Sequence, residues 1–254
     1  MGKVVIKQAA QAPTVPFADV AGANTQGTVQ TKAVIKGANR PLYLWQHDMQ
    51  AGAGLAFDKP DVGHVLYVLS GAIEVDGKPV EENGTACIEH GAKAKVRATK
   101  DTTLYHFHES GPRHVSRPGG HVHVSGAKGI LQARHAHANH FGTLWADSDC
   151  PNCEMWLHRS EFEAPRSQRH SHYHTTDEII VVLKGAMMVG NRALHAGTAL
   201  AIDTHTPYGF GAPDAGLTFI NFRAAESSNV QMLPEREQPP YNERDHFKAN
   251  AVAS

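Results

Sequence analysis

The chain lacks the marks of several protein classes. Its net charge is −1 over 254 residues, with 19% of side chains charged. No surplus of one sign exists to attract DNA or RNA. Aromatic residues make up only 7% and show no stacking pattern. No apolar run approaches the roughly 20 residues that span a bilayer, and the apolar part of the Met1 to Lys7 stretch is too short for a signal peptide. The chain is therefore expected to be soluble and cytoplasmic, with neither nucleic acid nor membrane as partner. Three cysteines do not make a disulfide framework. Helix signals are scarce as well. No long stretch sets apolar residues at i, i+3, i+4 and i+7 without meeting Gly or Pro.

Histidine and short β-rich runs are abundant. There are 18 histidines against 24 lysines plus arginines. Neutral imidazole is a common metal ligand, so the excess points towards metal chemistry without locating it. Hydrophobic residues reach 41%, enough for a sizeable core. They fall in short runs of Val, Ile, Leu and Tyr between Gly-containing turns, the pattern of an all-β sandwich or barrel. His64 to Leu69, Ser70-Gly71, Ala72 to Val75 and Asp76-Gly77 form one such unit. Glu178 to Leu183, Lys184-Gly185, Ala186 to Val189 and Gly190-Asn191 form another. Asp76-Gly77 suits a type I′ hairpin, whose two central residues both need positive φ.

These units are copies at an offset of 114 residues, Gly71 to Gly185. Gly84-Thr85-Ala86 repeats as Gly197-Thr198-Ala199 with one residue deleted. A repeat of this length predicts two related domains. The expected division is an arm over 1–34, a first barrel over 35–110, a linker over 111–139, a second barrel over 140–225 and a tail over 226–254. The tail is expected to be mobile or to pack as an extended strap.

Chemistry concentrates in Arg169-His170-Ser171-His172-Tyr173-His174-Thr175-Thr176-Asp177-Glu178. On a strand, His172 and His174 lie on one face. Glu178, opening the next strand, can return a carboxylate to the same point. Two imidazoles and one carboxylate on one side of a cation leave positions open for oxygen or substrate, a set that suits Fe(II). Mn, Ni, Co or Zn also fit.

The stretch resembles the first cupin motif: His-x-His, three residues, Glu, six residues, Gly. His172, His174, Glu178 and Gly185 meet each position, whereas the Gly that usually opens the motif is replaced by Arg166. The second motif starts at Gly197. The family's further His ligand there follows a Pro and precedes a Gly-Phe-like pair, and Tyr208 stands in its place within Pro207-Tyr208-Gly209-Phe210. His205, three residues earlier, is the alternative fourth ligand. Tyr208 either ligates as a phenolate or stays neutral and exchanges a proton with substrate.

The resemblance implies a two-domain cupin, a bicupin of two tandem jelly-roll barrels. It implies one divalent metal ion per chain, Fe(II) first, with His172, His174, Glu178 and His205 as metal ligands and Tyr208 and His205 as catalytic residues. It further implies a small oxygen-bearing substrate, a homodimer, and most simply a dioxygenase. The alternatives are an isomerase, decarboxylase or lyase, or a non-catalytic small-molecule-binding cupin.

The first copy answers differently. His172 falls on Asp58, His174 on Pro60 and Glu178 on His64. No triad survives, so this barrel reads as structural, with a remodelled site at His64 and His90 left open. His106, His108, His121 and His123 read as surface or hydrogen-bonded histidines. Cys150-Pro151-Asn152-Cys153 is a lone C-x2-C, short of a second ligand pair unless His135, His137 and His140 supply one. It reads otherwise as a tight turn or a reversible disulfide. Arg159 and Arg169 are candidates to pair with a substrate carboxylate.

Overall fold

A computed structural model describes residues 3–20, 22–37, 39–111, 117–135, 140–163, 171–224, 229–233 and 240–252. The chain is almost entirely antiparallel β-structure, with one α-helix, Glu243–Ala249, among these residues. Among the described residues no helix is long and apolar enough to cross a membrane.

The chain forms two compact units. One takes 11–129 and 149–154, the other 1–10, 130–148 and 155–254. In the first, a seven-stranded sheet runs Val122–Ser125, Thr85–Ile88, His64–Ser70, Thr102–Glu109, Leu42–Met49, Val29–Ile35, Thr14–Val15. A five-stranded sheet of Ala23–Gln26, Gly54–Asp58, Lys93–Ala98, Ala72–Val75 and Lys78–Glu81 accompanies it. In the second unit the order is Val4–Gln8, Thr198–Ile202, Glu178–Val189, Leu217–Ala224, Met155–Phe162, His140–Ala146, Leu131–His135. The two orders correspond strand for strand, which is the structural face of the sequence repeat.

The repeated glycines explain themselves. Gly71 and Gly185 have φ of +87° and +73°. A Cβ on them would lie 2.3 Å from the Asp101 carbonyl oxygen and 2.1 Å from that of Gly216. Only glycine tolerates both constraints. Asp76 (φ +48°) and Gly77 (φ +82°) turn the Ala72–Val75 and Lys78–Glu81 hairpin. The expected break at Lys184-Gly185 is instead a bulge inside one long strand, which leaves its partners 198–202 for 192–195.

Residues 1–34 are not an arm. Val4–Gln8 pairs with Thr198–Ile202, and Val29–Ile35 pairs with Leu42–Met49. Small polar residues hid strands that borrow their hydrogen bonds from distant partners. The expected linker over 111–139 likewise carries Val122–Ser125 and Leu131–His135, each in a sheet. The tail carries Asn229–Leu233, which pairs with Ser171–His174, and then the helix. The Asn242 side chain caps that helix by accepting from the Asp245 amide at 3.2 Å, which satisfies one of its unpaired N–H groups.

Strand alternation puts the cores and the polar centres on one face. In the first unit Val68 and Leu66 lead to His64, and Leu104 leads to His106 and His108. In the second, Val182 and Ile180 lead to Glu178, and Phe219 leads to Asn221 and Arg223. The leading residues are all buried. Each such apolar side chain contributes about 1.5–3 kcal/mol.

Candidate metal centre

Register fixes the correspondence between the two polar centres. His64 lies opposite Ile88 and His108, while Phe107 lies opposite Val65. Glu178 lies opposite Ile202, and Phe222 opposite Ile179. His64 therefore matches Glu178, His106 matches Asn221 and His108 matches Arg223. The same place in each unit holds different chemistry.

In the first unit His47, His64, His106 and His108 are all fully buried. Three of them form a chain. Thr31 Oγ1 meets His47 Nδ1 at 2.9 Å, His47 Nε2 meets His106 Nδ1 at 2.9 Å, and His106 Nε2 meets His64 Nδ1 at 2.8 Å. The chain ends at His64 Nε2, a buried atom with no partner. Buried polar atoms are nearly always satisfied, so this orphan calls for a ligand.

The tautomer of His108 follows from its neighbours. Its Nδ1 faces the Glu109 carbonyl oxygen at 2.5 Å and must donate to it, because a carbonyl only accepts. Nε2 then carries the lone pair and accepts from Trp45 Nε1–H at 2.8 Å, a bond that metal ligation through this nitrogen would replace. Burial keeps all four rings neutral. It lowers His47 to about 3 and His108 to about 4, and it holds His64 and His106 well below 6.5. Neutral imidazole is the form that ligates metal.

His64, His106 and His108 each offer a ligand nitrogen, and these nitrogens lie within 4.8 Å of one another. The group can hold a metal ion. Backbone and side-chain partners on the far nitrogens are what metal-bound imidazoles usually have. His47 on His106 and the Glu109 carbonyl on His108 play that part. Phe57 packs on the cluster, its ring centroid 5.0 Å from that of His64.

The second unit gathers His174, Glu178 and Tyr208 with Asn221, Arg223, Glu243 and His158. Arg223 is fully buried, and its guanidinium donates to His174 Nδ1 at 2.6 Å. Arginine has no acceptor. His174 therefore carries its own proton on Nε2, which points at Glu178 Oε2, 3.7 Å away. His158 is fixed likewise: Trp156 Nε1–H donates to its Nδ1 at 2.7 Å, leaving Nε2–H towards Glu243, 3.5 Å off. The nitrogens that would face an ion here are protonated, and a guanidinium already supplies the positive charge.

The remaining groups extend the network, in which Asn221 Oδ1 and Arg223 Nε stay buried without a hydrogen-bond partner. Asn221 donates to Glu178 Oε2 at 2.5 Å, and the Tyr208 hydroxyl also bonds to Glu178. Burial raises the Glu178 carboxyl, against the pull of Arg223. Burial and the adjacent Glu178 push the Tyr208 phenol well above 10, so it stays neutral. Burial lowers His174 to about 3, helped by Arg223. Glu243 is half-buried, and its ion pair with Arg223 holds its carboxyl well below the ordinary range against the opposing effect of desolvation.

The sequence-derived ligand set is thus only partly brought together. His172 is half-buried, and its ring packs on Tyr208, centroids 4.4 Å apart. His172, His174 and Glu178 are not among the described groups whose three ligand atoms lie within 4.8 Å. His205 points away. It is exposed at φ +57°, bonded to Thr204 Oγ1 at 2.9 Å and beside the Tyr173 ring. It sits in a turn that carries Tyr208, not His205, back to the core.

The other candidates separate as follows. His90 is half-buried and outside both ligand groups. Arg159 pairs with Glu161 at 2.9 Å and lies over the Trp145 ring, on the opposite strand face from His158. Arg169, Arg166, His137 and the His135 side chain lie outside the described residues. His140 bonds Ser160 Oγ at 3.0 Å and stacks on Phe162. Sequence reasoning missed His106 and His108 as core residues, and it missed Glu243. The alternation His106-Phe107-His108 on an apolar strand was the available signal for the first pair.

No family model and no curated protein matches the chain. Solved structures do. Protein Ylba of E. coli aligns with a TM-score of 0.66 at 12% identity, covering 89% of this chain and 92% of that one. Lactobacillus farciminis oxalate decarboxylase, solved as a formate complex, gives 0.63 at 12% identity over 90% and 88%. A cupin 2 conserved barrel domain protein of Leptotrichia buccalis gives 0.55 at 10% identity over 84% and 96%. At such identities the likeness speaks for the fold alone, and that fold is the cupin fold.

Proposed function

We propose that the chain is a two-barrel cupin enzyme whose divalent metal ion is held in the N-terminal unit by His64, His106 and His108, and that it acts on a small carboxylate-bearing molecule. The observation that carries the reading is the unpartnered, buried Nε2 of His64 at the end of a chain of neutral imidazoles. Three neutral ligands add no negative charge. The full charge of the cation then remains for an anionic oxygen ligand, and it polarises a carbonyl or carboxylate as a Lewis acid. Imidazole ligation suits Zn, Ni and Fe better than Mn.

The chain's own residues prepare this place. His47 and the Glu109 carbonyl hold the rings of His106 and His108 in fixed orientation. Thr31 in turn holds the ring of His47. Phe57 and the apolar rows of Leu66 and Leu104 exclude water. In the C-terminal unit Arg223 and Glu243 take the place of an ion and hold the barrel together. An oxalate decarboxylase, by its name an enzyme of a small dicarboxylate, shares the fold.

A dioxygenase is the second reading. Iron also accepts imidazole, and the aromatic side of the cluster at Phe57 favours an apolar gas. One experiment separates these outcomes. Metal content is measured on the purified chain, and small oxo- and hydroxycarboxylates are then supplied in an oxygen electrode cell. Turnover without oxygen loss supports the first reading. Substrate-triggered oxygen uptake supports the second. A His106→Ala protein that keeps the full metal stoichiometry of the parent chain removes both.

A further inference from the structure

We infer that Cys150, Cys153, Glu89 and His123 form a second metal site, a structural one for Zn(II). The lone C-x2-C lacked a second pair of ligands in the sequence, and the fold supplies it. Segment 149–154 belongs to the unit built from 11–129. There the two thiols and a carboxylate oxygen of Glu89 lie within 4.8 Å of one another.

The distances suit zinc. Tetrahedral zinc with sulfur at about 2.3 Å and oxygen at about 2.0 Å separates those two atoms by about 3.5 Å. Cys150 Sγ lies 3.6 Å from Glu89 Oε1. His123 Nε2 is hydrogen-bonded to the same oxygen at 2.8 Å, and a shift of about 0.5 Å to the roughly 3.3 Å tetrahedral separation would make it the fourth ligand. Glu89 Oε2 is already satisfied by the His121 amide at 2.9 Å, which orients the carboxylate.

The loop is built for the purpose. Arg117 donates to the carbonyl oxygens of both Cys150 and Cys153, and the Gly119 amide donates to the Asn152 carbonyl at 2.8 Å. These bonds fix the turn that aims both thiols at Glu89. Glu89 itself is fully buried, and its carboxylate faces both thiols and the His123 ring. Soft thiolates with one imidazole and one carboxylate select Zn over Mg, Ca or Mn. His123 is half-exposed, which leaves a path for the ion. Cys87, opposite His123 in the sheet, is buried and lies outside the group formed by Glu89, Cys150 and Cys153.

The test uses the full chain, purified reduced and then loaded with Co(II) alone as a spectroscopic probe. A thiolate-to-cobalt charge-transfer band in the near ultraviolet is expected. It should persist in His106→Ala and vanish in Cys150→Ser. Zn(II) should displace the cobalt and protect Cys150 and Cys153 from alkylation, mapped by mass spectrometry. Glu89→Gln, which keeps both thiols, should weaken zinc retention at least tenfold in a chelator competition and so covers a serine variant that fails to fold. Absence of the band in reduced protein overturns the inference. So does a Cys150–Cys153 disulfide in protein recovered from a reducing cytosol.

Discussion

Metal-free protein should lose its N-terminal unit on mild acidification. Folding keeps His47, His64, His106 and His108 neutral and buried, while an unfolded chain protonates each near 6.5. Folded values below unfolded ones mean that unfolding binds protons. Stability is therefore complete above the unfolded value and falls as pH drops from 6.5 towards the folded values of about 3 to 4. Linkage sets the size: at pH 5.5 each such histidine costs about 1.4 kcal/mol, and at pH 5 about 2 kcal/mol. Four together cost about 6 and then about 8 kcal/mol, comparable with the roughly 5–15 kcal/mol that holds a domain folded. The midpoint should fall near pH 5, with a slope of about four protons. Amide exchange read on peptides covering 102–109, along a pH series, measures it. Protection that persists to about pH 4, or a slope near one proton, refutes the neutral histidine chain. Metal at a hundredfold excess over its dissociation constant should stabilise the unit by about 2.7 kcal/mol and move the transition to lower pH.

Other consequences follow from named contacts. His64→Ala, His106→Ala and His108→Ala, each made in a Cys150→Ser background, should lower metal content at least tenfold, whereas His205→Ala in that background should leave it unchanged, read by elemental analysis of folded protein. Arg223→Met strands Glu243 and Glu178 without their cation. It should cost about 3–5 kcal/mol in denaturant melts, and the double variant Arg223→Met with Glu243→Met should recover part of it. Gly185→Ala sets a Cβ against the Gly216 carbonyl at positive φ. It should cost about 1–3 kcal/mol, seen as a lower Tm. Removing residues 1–8 uncovers the Thr198–Ile202 edge, and concentration-dependent aggregation by light scattering is the expected result.

Much of the scaffold was legible because its signals are local. Alternation, the Asp76-Gly77 turn and the paired glycines Gly71 and Gly185 each act within a few residues. The metal centre was not, because its ligands come from strands brought together only by sheet pairing. His64 and His106 are neighbours through hydrogen bonds between His64–Ser70 and Thr102–Glu109. The offset of the repeat was tested at Asp58 and Pro60, where the motif stands in the other copy. Two of the three histidines, His106 and His108, lie instead on the strand equivalent to Leu217–Ala224, and only His64 stands at a motif position, that of Glu178. Arg223 shows the reverse effect. The motif around His172 is well formed in sequence, but a guanidinium from a strand 49 residues on takes its Nδ1 partner at His174. Glu243 was hidden because a capped helix after a proline-rich stretch carries no barrel signal.

The strand Val4–Gln8 finds its place only against Thr198–Ile202, with Val4 beside Ile202. During synthesis at about 5–20 residues per second, the first strand waits roughly 10–40 s for that partner to leave the ribosome. Throughout that interval an apolar ribbon stays without its sheet partner. Slowing translation ahead of residue 198 would prolong that exposure, so codon choice and chaperone supply in the expressing cell bear on yield.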